Sequence, residues 1–248
     1  MNFFKKLLVA AALALPFTAM QAGAFTLDKA PKKTTDLVSL QNGAKVFVNY
    51  CLGCHSASFM RYTKLQELNM TQKEIEDNLL LATDDIGTTM KSAMSPEKAK
   101  DWFGSNPPDL TVIARALSGS GGSGADYVYT LFRSYYRDPG RPTGWNNLTF
   151  PNIGMPHPLW QLEGERKPVY EGSGDAQRFT GRWEQVTDGT MSPAQYDETV
   201  ADLANYLAWM AEPVQNKRIA IGVWVLIFLL GFSLIAWRLN ASYWRDVD

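Results

Sequence analysis

Cys51-Leu52-Gly53-Cys54-His55 contains both cysteines of the 248-residue chain and one of its two histidines. Cys-x-x-Cys-His is the attachment signature for c-type haem. Two thiols three positions apart lie on one side of a helical turn, so both can bond the vinyl groups along one edge of a porphyrin. The adjoining imidazole then points at the iron from one face. Rival readings ask for residues this sequence does not supply. Structural zinc needs four ligands, usually with a second Cys/His pair, and only His157 is left over. A thioredoxin-like redox pair follows a strand in a βαβ unit, whereas Asn42 to Tyr50 reads as helix with Ala44, Phe47, Val48 and Cys51 on one side. A plain disulfide explains neither the neighbouring histidine nor the lack of further cysteines.

The elements that must carry this motif can be read around it. A first helix is expected from Leu37 to His55, and Ser56 to Leu68 is expected to continue helically with Phe59, Met60, Tyr62 and Leu65 making apolar contacts. Thr71-Gln72-Lys73-Glu74 is a capping box, with Met70 and Ile75 placed as a hydrophobic staple. Ser95-Pro96 and Ser192-Pro193 each set an N-cap serine before proline at the first helical position. The second site adds Gln195 and Tyr196 at the capping-box and staple positions, and opens a helix expected from Pro193 to Met210 on Tyr196, Val200, Leu203, Leu207 and Met210. Ser118 to Gly124 lacks the Gly-Lys-Ser/Thr of a phosphate loop and reads as a connection. Asp138 to Pro158 is too rich in proline and glycine for regular helix. Lys167 to Val186 alternates around Gly172-Ser173-Gly174-Asp175 and suggests one β-hairpin. No internal repeat and no second domain is visible.

Both ends address a membrane. Met1-Asn2-Phe3-Phe4-Lys5-Lys6, an apolar run from Leu7 to Leu15, and Ala22-Gly23-Ala24 together read as a secretory signal peptide, the apolar run being too short to span a bilayer. Its removal takes two lysines and no acid from 24 Lys+Arg and 25 Asp+Glu, leaving a mildly acidic chain near −3, so no nucleic-acid partner is expected. Ile219 to Trp237 carries no charge over nineteen residues. That is roughly 28 Å of helix, close to the hydrocarbon thickness of a bilayer. Lys217-Arg218 and Arg238 bracket it, and Trp237, Tyr243 and Trp244 suit the interface. The flanking charges are too evenly split to orient the span. The signal peptide does so instead, exporting the haem domain and leaving the tail inside. The expected organisation is a signal peptide over 1–24, a periplasmic haem domain over 25–217, a transmembrane helix over 218–238 and a cytoplasmic tail over 239–248.

An iron held by His55 alone would bind small ligands, whereas a methionine opposite makes a six-coordinate electron carrier of raised potential. Met70, Met94 and Met191 have local work as helix staples, Met60 follows the motif closely, and Met210 lies on an amphipathic face. Met155 and Met90 remain. Prolines at 151, 156 and 158 stiffen the segment around Met155, and Gly154 allows close approach to a flat ring. Met90 has no such brace. His157 is the other candidate, giving bis-histidine ligation, and it otherwise reads as a solvated loop histidine.

Cys51-Leu52-Gly53-Cys54-His55-Ser56, Asn106-Pro107-Pro108-Asp109-Leu110, Ile153-Gly154-Met155-Pro156 and Asp188-Gly189-Thr190-Met191-Ser192, followed by a helix ending Ala211-Glu212-Pro213 and a single apolar span, occur in one order. In this the chain resembles the cytochrome c1 family, the haem c subunits of cytochrome bc1 complexes, over essentially its whole mature length. The resemblance implies a mainly α, cytochrome c-like haem domain with a small β-hairpin and a single C-terminal transmembrane helix. It implies one covalently bound haem c with His55 and Met155 as axial ligands. Asn106, Pro107 and Pro108 would line the haem pocket, with Tyr127 nearby and Arg115 available to a haem propionate. Leu117 stands where many members carry a second basic residue.

The resemblance further implies an electron taken from a Rieske iron–sulfur subunit and passed to a cytochrome c, beside a cytochrome b subunit in the bacterial inner membrane. Glu67, Glu74, Glu76, Asp77, Asp84 and Asp85 face only Lys73 in charge between residues 67 and 85. They read either as a solvated face or as an acidic docking surface for a basic cytochrome c. Two other classes fit the motif: a tethered haem c subunit of a terminal oxidase or nitric oxide reductase, and a haem sensor or enzyme with a displaceable sixth ligand.

Overall fold

The computed structural model describes residues 26–119, 121–173 and 177–245. The expected signal peptide, the hairpin-tip residues Gly174 and Asp175, Ser120 and the last three residues of the expected tail lie outside them.

Helix α1 (Leu37–Val46) starts at Asp36, whose carboxylate accepts hydrogen bonds from the amides of Val38 and Ser39. It is continued by a π-helical turn, Phe47–Cys51, in which the Leu52 amide reaches back five residues to the carbonyl of Phe47. The long helix α7 (Pro193–Ala211) crosses α1 closely. Its Ser192 cap and Gln195 form the expected capping box, and Tyr196, Val200, Leu203, Leu207 and Met210 are all buried. The crossing is set by Gly43, where a Cβ would stand 2.2 Å from the carbonyl oxygen of Asp202 and 2.5 Å from Tyr206 Cβ. Buried Asp202 accepts from Ser39 Oγ at 2.5 Å and Asn42 Nδ2 at 3.3 Å, and pairs with Lys33.

Helix ends at Cys51 rather than at the expected His55, because the chain turns back at Leu52–Cys54, and beyond the motif the structure departs from the expected helix again. Ala57–Arg61 is a strand, β1, paired antiparallel with β2 (Thr89–Met90), and Tyr62–Leu68 is a 3-10 helix. The physical reason lies in the donors. Ser58 N bonds Asp109, Phe59 N bonds Thr111, Tyr62 N bonds the Thr88 carbonyl and Thr63 N the Ile86 carbonyl. With their amides committed to distant acceptors, these residues cannot make i to i−4 bonds. Met60, Tyr62 and Leu65 enter the core as expected, but Phe59 is 85% exposed.

Helix α2 (Gln72–Asn78) carries the Thr71–Glu74 capping box, and α3 (Pro96–Phe103) the Ser95 cap. Short α4 (Ile113–Ala116) and α5 (Gly124–Phe132) pack on α7. Within the irregular stretch, β3 (Tyr135–Arg137) pairs with β4 (Trp145–Asn147), a small hairpin that the proline-rich reading did not anticipate. Helix α6 (Trp160–Glu163) leads into the expected hairpin, β5 (Gly164–Glu171) with β6 (Arg178–Asp188), which is longer than the alternation suggested. Among the described residues the architecture is mainly helical, with three two-stranded antiparallel sheets.

The lead-in before α1 is stitched down rather than loose. Asp28 N donates to Thr130, Ala30 N to Asp126, Lys33 N to Asn205, and Asn205 returns a bond to the Pro31 carbonyl. At the other end only Glu212, Pro213 and Val214 separate α7 from α8 (Gln215–Tyr243). Arg218 Nε donates to Glu212 at 2.7 Å, Gln215 Nε2 at 3.3 Å, and Asn216 Nδ2 reaches the Thr34 carbonyl at 3.2 Å. Helix α8 is long and apolar enough to cross a membrane, and none of it is buried against the rest of the chain.

Two outcomes are expected. Gly43→Ala overpacks the α1–α7 crossing and should cost about 1–3 kcal/mol, read from thermal unfolding of the haem-loaded protein. Burial alone would raise the Asp126 carboxyl, but bonds from Ser123, Ala30 and Lys29 outweigh it and hold it below the ordinary range. A depressed carboxyl stabilises the fold above its unfolded pKa of about 3.9 and loses that contribution as pH falls through the folded value. Below about pH 4 the thermal midpoint should therefore fall more steeply for the wild type than for Asp126→Asn.

Candidate haem site

The π-helical turn delivers Cys51 at its last position, buried, and the chain then folds back on itself. Cys54 N donates to the Cys51 carbonyl at 3.1 Å, and His55 N to the same oxygen at 2.8 Å. Cys51 and Cys54 form no disulfide, and Cys54 is exposed. Burial, with a smaller push from Cys54, raises the Cys51 thiol to about 12, so it is no reactive thiolate at neutral pH. Among the described residues no three His, Cys, Asp or Glu side chains converge on a common point, as a zinc cage would require.

The decisive contact is made by His55. Its Nδ1 lies 2.8 Å from the carbonyl oxygen of Pro108. A carbonyl can only accept, so Nδ1 carries the proton and Nε2 presents a lone pair. Burial lowers the His55 pKa more than the Pro108 bond raises it, which keeps the ring neutral and able to ligate. The loop behind it is fixed in turn. Leu110 N donates to the Ser56 carbonyl at 2.8 Å, Ser58 N to Asp109 Oδ2 at 2.8 Å, and Thr111 N to Asp109 Oδ1 at 2.9 Å. Burial would raise the Asp109 carboxyl, yet the bonds from Thr111 and Ser58 hold it low and charged. Ser92 Oγ closes the other side on the Gly53 carbonyl at 2.7 Å. Two thiols on one turn beside an imidazole with one open, oriented nitrogen form a donor set that fits covalent haem c.

Around this group Asn106 and Pro108 are exposed and Pro107 is half-buried. Tyr127 is half-buried on α5, and burial raises its phenol. Arg115 stands exposed on α4 and makes no ion pair among the described residues, while Leu117 packs partly against the core. Met155 is half-buried against the core, and its carbonyl accepts from Tyr135 Oη at 3.3 Å. The preceding turn is clamped by Arg141, whose guanidinium bonds the side chain and the carbonyl of Asn152. Asn152 sits at φ 64°, in the left-handed region.

Met90, the other methionine without a local task, is fully buried in β2 and takes a weak bond from Tyr206 Oη to its sulfur at 3.8 Å. His157 is not the solvated loop residue its prolines suggested. It is 1% exposed, its Nε2 lies 2.8 Å from Glu163 Oε2, and its ring stacks on Tyr135.

The six acidic residues are exposed, though several are engaged locally. Glu67 pairs with Lys64 and Asp77 with Lys73, Glu74 closes its capping box, Glu76 accepts from Gln72, and Asp85 accepts from Gly87 N. Sequence reading missed Glu163, Asp109 and Tyr135. Asp109 lies within the Asn106–Leu110 motif, which did not announce its bonding role, whereas Glu163 offered only its spacing, three residues before Arg166 and six after His157.

Comparison with known proteins adds a second line of support. A family model described as the Cytochrome C1 family matches residues 27–103 and 176–247. A protein of Nitrosomonas europaea named ammonia monooxygenase gamma subunit is 42% identical across the full length of both chains. Cytochrome c1 of Allochromatium vinosum is 40% identical over 98% of this chain and 99% of its own. The mitochondrial cytochrome c1 haem protein of Saccharomyces cerevisiae is 26% identical over 88% of this chain and 70% of its own.

The thiols set a direct expectation. On a denaturing gel, or in acidified acetone, the pigment should stay with the wild-type chain and be released from the Cys51→Ala, Cys54→Ala double variant, as absorbance of the separated fractions will show.

Proposed function

The chain belongs to the cytochrome c1 family, and from that premise we propose that it takes one electron from the reduced cluster of a Rieske iron–sulfur subunit and passes it to a cytochrome c. Family membership makes it a bc1-type haem c subunit, a redox subunit with covalently bound haem c. The observation that carries the finer reading is the 2.8 Å contact between His55 Nδ1 and the Pro108 carbonyl, which leaves one nitrogen, at a fixed angle, for iron. Bound haem supplies a reversible one-electron exchange at that iron.

The chain's own residues do the rest. Cys51 and Cys54 retain the group, and His55 ligates from one side with its tautomer already chosen. Met155 would hold the iron from the other side. Its thioether raises the potential relative to a second imidazole and closes the site to small ligands. The braces at Tyr135 and Asn152 keep that ligand where it is in both oxidation states, which keeps reorganisation small. Asn106, Pro107, Pro108 and Tyr127 line the pocket, and Arg115 is the available cation for a propionate.

In this reading residues 1–24 are removed on export, 25–217 form the periplasmic haem domain, and 218–238 cross the bacterial inner membrane beside a cytochrome b subunit. Residues 239–248 form the cytoplasmic tail. The exposed acids at 67, 74, 76, 77, 84 and 85 steer a basic cytochrome c. The name of the Nitrosomonas relative favours a second reading, a haem c partner for an ammonia monooxygenase.

Purification of the native assembly separates the two readings. Cytochrome b and Rieske subunits should travel with the chain, and the complex should reduce cytochrome c with quinol; copurification of monooxygenase subunits instead would sink the first reading. Steering has its own test. The triple variant Glu74→Gln, Glu76→Gln, Asp77→Asn keeps a capping-box residue at 74. It should flatten the dependence of cytochrome c reduction on ionic strength.

A further inference from the structure

The family reading does not use a buried cluster that lies just past Met155. Glu163, at the end of α6, has a side chain only 6% exposed, yet one hydrogen bond, from His157, and one ion pair, with Arg166, converge on it. His157 Nε2 is 2.8 Å from its Oε2 and Arg166 Nη2 is 2.7 Å from its Oε1. A carboxylate only accepts, so Nε2 carries the imidazole proton and the buried Nδ1 is left as a lone pair with no partner. Rotating the ring would strip Nε2–H of its acceptor. The ring is held on its face as well, parallel to Tyr135 at 3° with centroids 4.5 Å apart, and edge-on to Trp145 at 5.2 Å. Tyr135 completes the circuit: its carbonyl accepts from Arg166 Nε at 3.3 Å and its hydroxyl donates to the Met155 carbonyl at 3.3 Å.

We propose that Glu163 is a positioning residue for Met155, acting through His157 and through the Arg166–Tyr135 contact to hold the methionine's backbone in place. The inference rests on Met155 as second axial ligand. Proline on each side of His157 makes the segment stiff, and stiffness alone does not choose a position. The carboxylate chooses it, because it reaches both into the ligand's own loop at 157 and across to the first strand of the long hairpin at 166. A ligand loop held at two points cannot drift when the iron changes charge.

A glutamine is nearly isosteric but uncharged, so it loses the attraction to the Arg166 guanidinium, and its amide can turn a donor toward His157 Nε2–H. The test uses the full-length, haem-loaded protein in detergent, as wild type, Glu163→Gln, Tyr135→Phe and Met155→Leu. Three readouts follow the sulfur–iron bond: the charge-transfer band of the ferric protein, the midpoint potential, and ferric affinity for cyanide. In Glu163→Gln the band should weaken and cyanide affinity should rise about tenfold. A tenfold loss of the ferrous preference corresponds to a fall of about 59 mV for a one-electron couple. Tyr135→Phe should move all three readouts in the same direction by less. It decides the matter alone if Glu163→Gln does not accumulate. If Met155→Leu erases the band while Glu163→Gln and Tyr135→Phe match wild type in all three readouts, the positioning role is wrong and the ligand assignment stands. If Met155→Leu keeps the band, the ligand assignment itself falls.

Discussion

A single lone pair, and the direction in which it points, governs the rest of this structure. His55 could present either ring nitrogen and could turn about its side-chain bonds. The Pro108 carbonyl removes both freedoms by claiming Nδ1–H. Everything packed behind Pro108 serves that carbonyl: Asp109 gathers the amides of Ser58 and Thr111, Leu110 ties back to Ser56, and the peptide cannot swing away. This also explains why the chain after the motif abandons helix. The amides that a helix would use internally are spent on tying the two strands of the site together.

Around Met155 the means are different. The loop bearing Met155 is not secured by secondary structure but by side chains reaching its backbone, from Arg141 at Asn152 and from Tyr135 at Met155 itself. A carbonyl network thus holds His55, and a ring-and-carboxylate cluster adjoins Met155. Both stand on a core in which α7 threads beneath α1 at contact distance, with Gly43 as the residue that permits it.

Local signals were legible in the sequence, and contacts between distant segments were not. The caps at Thr71, Ser95 and Ser192 were read correctly, because a serine or threonine three residues before its partner is a local fact. The helix leading to Cys51, the apolar run of α8 and the hairpin across Lys167 to Val186 were legible for the same reason. The strand at Ala57–Arg61 was missed because its pairing partner lies near Met90, and no periodicity in the segment itself announces that. His157 was misjudged because two prolines look like surface punctuation, while its actual partner, Glu163, comes from the next helix. Phe59 was misplaced by assuming that an aromatic residue among apolar neighbours shares their fate.

The junction between α7 and α8 has a consequence for traffic. Glu212 is gripped by Arg218 and Gln215, and Asn216 is moored to Thr34 in the lead-in, with no slack in the three residues between the helices. A join this short, bonded at three side chains, ties the head to α8 directly rather than through a long tether. In the proposed function, the partners that would deliver and collect charge would then do the commuting.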